Sequence, residues 1–136
     1  MKETMKFNNR EILVFEEGLS QIQTGSTKFR LSVAKIVQAM SEAKNIFIKL
    51  AQTDDEDVIK YLRGEVEVKE NASEELKTKA EAFMKQYNEV LGEFSDIDIE
   101  KIPEDILPDT LPETVETSFG SYPLVEVMLF PFLKSE

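Results

Sequence analysis

The chain has 136 residues, neither cysteine nor histidine, 41% apolar and 32% charged residues, and a formal net charge of −11. That length fits one domain, 1–136, and the two missing residue types exclude disulfides, cysteine or histidine zinc sites, and Ser-His or Cys-His nucleophile systems. The charge disfavours nucleic acid and anionic lipid as partners, because both are repelled by the dominant field, and makes a basic protein surface the natural complement.

Residues 1–4 read as a loose extension, and Met1 to Asn9 is polar, unlike a signal peptide. Asn8-x-x-Glu11 has the spacing of a capping box and predicts a helix carrying Ile12, Phe15, Leu19 and Ile22, ended by Thr24-Gly25-Ser26. Lys28 to Val33 alternates and predicts a short strand that runs into a long helix with the stripe Val33, Ile36, Val37, Met40, Ala43, Phe47 and Leu50. Lys28, Arg30 and Lys35 are the one basic concentration; no glycine-rich phosphate cradle accompanies them, and pairing with the chain's own acidic segment is expected.

Thr53-Asp54-Asp55-Glu56 predicts a second capping box and a short helix ending at Gly64. The run Asp54 to Asp57 is no calcium loop, since Val58 and Ile59 occupy the positions that need a ligand and a turn glycine. Glu65 to Lys69 alternates like a strand, and Ser73 caps a long helix ended by Gly92.

From Glu93 to Glu116, nine carboxylates face the single Lys101, and Pro103, Pro108 and Pro112 prevent a helix. The segment should open as a strand, Asp96 to Glu100, and continue over 103–120 as extended, acidic, proline-containing chain anchored by Ile97, Ile99, Ile102, Ile106 and Leu107. Its candidate partner-binding face is Asp96, Asp98, Glu100, Glu104, Asp105, Asp109, Glu113 and Glu116. For the first three, the alternatives are a solvated face opposite Ile97 and Ile99 or a carboxylate pair or cation grip. The tail, Ser121 to Leu133, reads as a short apolar helix. Leu124, Met128, Phe130 and Phe132 on it are either the lid of the core or a contact patch for a second copy or a host protein. Its apolar run of about ten residues is half of what a membrane span needs.

The pattern predicts a mainly α, α+β fold. An antiparallel pair of long helices, about 30–52 and 73–92, is covered by the N-terminal helix and closed by the C-terminal one. The short strands pair as a small two- or three-stranded sheet.

Met5-Lys6-Phe7-Asn8-Asn9-Arg10-Glu11-Ile12-Leu13 resembles the opening M-K-L-T-N-x-x-L-L of small proteins encoded by tailed bacteriophages and prophages. Phe94-Ser95-Asp96-Ile97-Asp98-Ile99-Glu100-Lys101-Ile102 resembles their E-V-x-I-D-I-x-K-I strand, and Lys28 to Ile36 their basic-apolar approach to the second helix. The resemblance implies a viral or prophage origin, expression in the host bacterial cytoplasm or incorporation into the virion, and no catalytic residues.

The function expected is therefore that of a non-enzymatic protein, without metal or cofactor, that binds a host or phage protein through its acidic surface. Inhibition of a host defence or regulatory factor is the leading form of this. A virion-associated accessory part, held in copies by the tail, and a DNA mimic that occupies a DNA-binding protein are the alternatives.

Overall fold

Four successive apolar residues, Ile12-Leu13-Val14-Phe15, decide the architecture. They lie on α1 (Asn9–Leu19), and all four are buried. A helical turn that is apolar on every side has to be covered on every side, and although Arg10 and Glu11 of α1 stay exposed, the helix is packed by elements from both ends of the chain.

In the computed structural model, which describes residues 2–134 apart from the side chains of Val66 and Val68, the remaining elements surround α1. They are β1 (Lys2–Asn8), α2 (Thr27–Phe47), a 3₁₀ turn (Ile48–Ala51), α3 (Glu56–Leu62), α4 (Val66–Glu70), α5 (Glu74–Gly92) and β2 (Phe94–Glu100). A 3₁₀ turn (Glu104–Ile106), the hairpin β3 (Thr114–Thr117) and β4 (Gly120–Pro123), a π-helical turn (Leu124–Leu129) and a 3₁₀ turn (Phe130–Phe132) complete it. The fold is mainly helical, α+β, with two antiparallel two-stranded sheets, β1–β2 and β3–β4. One core joins Phe7, Phe15 and Phe132, whose rings meet at 5.1–5.7 Å, to Phe29, Met40, Ile99 and Met128.

Local chemistry explains most boundaries. Asn8 caps α1 through a reciprocal box: its Oδ1 accepts from the Arg10 N–H at 2.9 Å, and Glu11 Oε1 accepts from the Asn8 N–H at 3.0 Å. Ser26 Oγ accepts from Phe29 N–H and Ser73 Oγ from Leu76 N–H, each at 3.1 Å, starting α2 and α5.

Several expectations are corrected. Lys2 to Thr4 are not a loose extension but strand, paired with Glu100 to Asp98; Met1 lies outside the described residues. Lys28 to Val33 is helical, because Ser26 caps there and Phe29, Val33 and Ile36 share the buried helical stripe. Glu65 to Lys69 forms no strand: Lys69 N–H donates to Glu65 O and the span closes as α4. The cap of α3 is Asp55, not Thr53, whose Oγ1 instead accepts from the Asp55 N–H at 3.2 Å. Leu50 is 62% exposed rather than part of the stripe, since the chain tightens from α to 3₁₀ winding at Ile48 and shifts the phase of its side chains. The tail opens as strand β4, because Tyr122 precedes Pro123 and is held extended, and it becomes helical only from Leu124.

The long helices also divide the work unequally. α2 packs on α1 and β2, whereas α5 reaches the rest through the turn Ile48–Ala51, α3 and α1 and buries only Ala80 and Leu91 among its side chains.

The ends meet at Asn9, which is 3% exposed. Its Nδ2 donates to Val90 O at 2.8 Å, its N–H donates to Glu93 O at 2.8 Å, and its Oδ1 accepts from the Ser95 hydroxyl. Asn9→Leu leaves the Ser95 hydroxyl without its partner and the Val90 carbonyl with only the bond from the Glu93 N–H at 3.2 Å, so chemical denaturation should show a loss of about 1–3 kcal/mol in all.

Candidate protein-binding surface

The acidic region falls into two parts with different electrostatics. β2 alternates, so Ile97 and Ile99 are buried while Asp96, Asp98 and Glu100 are exposed. Antiparallel pairing with β1 sets Lys6 opposite Asp96, Thr4 opposite Asp98 and Lys2 opposite Glu100. Thr4 Oγ1 donates to Asp98 Oδ1 at 2.7 Å. Opposite charges facing each other across a strand pair are mutually favourable, so this face is a mixed-charge ladder rather than an anionic one. Lys101, the lone cation of the acidic region, bonds Glu3 at 3.2 Å.

Residues 103–117 differ. Glu104, Asp105, Asp109, Glu113 and Glu116 are all exposed, and none has a cation within 4.0 Å among the described residues. Their backbone is nevertheless held as a strap. Ile106, Leu107 and Leu111 pack on the core and Val115 is buried in it. Leu124 N–H donates to Glu113 O at 2.9 Å, and Gln21 Nε2 donates to Glu116 O at 2.6 Å. At the hairpin tip, Glu17 Oε1 accepts from the Ser118 N–H at 2.8 Å and from its hydroxyl at 3.1 Å. Arg10 stands 5.9 Å over the Phe119 ring.

Gly25 locks the strap to the start of α2. Its φ is +105°, and a Cβ there would sit 2.7 Å from Pro108 Cγ and 2.8 Å from Phe29 Cδ2. Sequence reasoning read Gly25 only as a helix end; nothing local to it signals a contact with a proline so far along the chain.

The apolar candidates separate as well. Leu124, Met128 and Phe132 are fully buried, so they are core and cannot form a contact patch. The reason is the wide π-helical turn, which directs Leu124, Met128 and Leu129 inward together. Only Phe130, 69% exposed, offers surface, with Val127 at 40% nearby in the chain.

Lys28, Arg30 and Lys35 form no ion pair with the acidic segment among the described residues, which corrects that expectation. Asp54 to Asp57 serve the start of α3, where Asp55 Oδ1 accepts from the N–H groups of Asp57 and Val58. Among the described residues no cluster of acids has the arrangement of a metal site, and no helix is long and apolar enough to cross a membrane.

Comparison with protein-family models, curated proteins and solved structures finds no match for this chain.

If Gly25 is what seats the strap, Gly25→Ala should cost about 1–3 kcal/mol through its strained φ. It should also speed amide exchange at Ile106 and Leu107, whose N–H groups donate to Pro103 O and Glu104 O. Unchanged exchange at those two amides would show that the strap is held elsewhere.

Proposed function

We propose that this protein is a non-enzymatic binding protein of phage or prophage origin, and that its anionic strap, residues 104–116, docks on a basic surface of a host or phage protein. One observation carries the reading. Five exposed carboxylates without cationic neighbours among the described residues sit on a backbone already fixed by core side chains and hydrogen bonds. A surface organised before binding loses little conformational entropy on association. Charge of one sign accelerates encounter with a complementary partner and selects against like-charged ones. The leading form of the function is blockade of a host defence or regulatory factor in the bacterial cytoplasm.

The β2 acids are a weaker part of this surface than their number suggests, because β1 places lysines opposite two of them. Mimicry of DNA has less support for a related reason. Five charges spread over residues 104–116 are several-fold sparser than duplex phosphates, at about one per 1.7 Å. The exposed Phe130 favours a second reading, a particle component contacting its neighbours through that ring, with purified virions as the place to look for it.

The test uses the full chain as bait in infected-cell extract. Converting Glu104, Glu113 and Glu116 to Gln and Asp105 and Asp109 to Asn should abolish partner capture at about 0.15 M salt. Converting Asp96 and Asp98 to Asn and Glu100 to Gln should leave most of it. Capture undiminished by the strap variant would overturn the proposal.

A further inference from the structure

Lysines from distant stretches of chain converge where α2 passes the end of β2. Lys28 and Lys35 stand two turns apart on α2, and Lys101 directly follows β2. Lys134 is brought alongside by the bridge between Ile102 and Leu133, in which Ile102 N–H donates to Phe132 O at 2.7 Å and Lys134 N–H donates to Ile102 O at 2.8 Å. All four lysines line one groove of about 560 Å³. Lys101 is occupied by Glu3, but Lys28, Lys35 and Lys134 have no carboxylate within 4.0 Å among the described residues. Among the described residues, Glu100 is the only other acid in the lining. A chain of charge −11 thus carries, among the described residues, a local positive excess here, and the rest of the groove's lining is Leu31, 55% exposed, with Pro103, Ile106 and Ser32.

The groove continues. Lys35 and Glu100 also line a second depression of about 280 Å³ farther along α2, bordered by Lys2, Gln38, Glu42 and Asp98. From Lys28 to Glu42 the helix rises about 21 Å, the reach of roughly six residues of extended chain. The trench is therefore cationic and partly apolar at one end and of mixed charge at the other, where Glu42, Asp98 and the shared Glu100 stand beside Lys2 and Lys35.

We infer that this trench binds an extended peptide segment of a protein partner, with carboxylates flanking an apolar side chain at its Lys28 end. Lysine ammoniums on flexible stems act as point charges that suit carboxylates without demanding one bidentate geometry. The exposed Leu31, with Pro103 and Ile106, gives the apolar side chain a seat that a simple inorganic anion would not use. A nucleic acid would meet Glu3, Glu100, Glu42 and Asp98 in the same trench, besides the net charge of the molecule.

The site borders the strap at Pro103 and Ile106 but is read through the lysines and Leu31 rather than through the strap's acids, so variants of those residues test it independently of the strap's role. The isotope-labelled full chain is titrated in turn with a short synthetic peptide alternating acidic residues with Leu, with inorganic phosphate, and with oligothymidylate, while amide shifts are recorded. Saturable shifts are expected from the peptide at residues 28–38 and 98–103. The Lys28→Glu, Lys35→Glu double variant should weaken binding about tenfold or more, and Leu31→Asp should weaken it without altering the rest of the spectrum. The inference is overturned by no saturable shifts, by shifts elsewhere, or by equal affinity in the charge-reversed variant. Phosphate reproducing the peptide's shifts at equal affinity, or tighter binding of oligothymidylate, would overturn it too.

Discussion

The side chains of Asn8 and Asn9 join segments that lie more than eighty residues apart, and the placement of the acidic surface follows from that junction. A helix leaves its last carbonyls without intrahelical partners. At the end of α5, Asn9 takes Val90 O and Asn8 takes Gly92 O, while the backbone N–H of Asn9 takes Glu93 O. The same two residues begin α1, so one dipeptide starts one helix and finishes another. The buried amide is satisfied, and no buried side-chain polar atom among the described residues lacks a partner. With the junction closed, β2 leaves it antiparallel to β1, and their register brings Lys6 opposite Asp96 and Lys2 opposite Glu100.

That register decides how the molecule presents its charge. In β2 the carboxylates face a strand of alternating lysine and threonine, and one of them accepts a hydroxyl hydrogen bond. Beyond Ile102 the chain has no partner strand among the described residues until the β3–β4 hairpin, and its acids face solvent. The lysines of the trench gather for a connected reason. The bridge of Ile102 to the C-terminal segment draws Lys134 toward Lys101, and the packing of α2 on β2 adds Lys28 and Lys35. Strap and trench are thus consequences of how the chain closes, not of any single local motif.

Much of the helical framework is legible in short patterns. Asn8-x-x-Glu11, Ser73 and Gly92 mark real boundaries, because a cap is chemistry between residues a few positions apart. Alternation in Asp96 to Glu100 correctly separates Ile97 and Ile99 from the acids. The same period-two signal misleads at Lys28 to Val33 and Glu65 to Lys69. A strand needs a neighbour to satisfy its backbone, whereas Ser26 and the carbonyl of Glu65 supply local helical partners instead. The central place of α1 is not read from the sequence, which makes the two long helices the core; instead α2 packs on α1 and β2, and α5 on the turn Ile48–Ala51, α3 and α1.

The order of residues is enough to establish the caps at Asn8 and Ser73, the lack of histidine and cysteine chemistry, and the excess of acid in the later part of the molecule. All of these depend on residue type or on neighbours within about one helical turn. Tertiary structure alone decides that Leu124, Met128 and Phe132 are core, that β1 lysines face β2 acids, that Pro108 seats against Gly25, and that four lysines share a groove. These pairings span long stretches of intervening chain. They exist because burying the turn Ile12–Phe15 of α1 draws both ends of the chain around it, and no local window of residues says which distant segments will cover that turn.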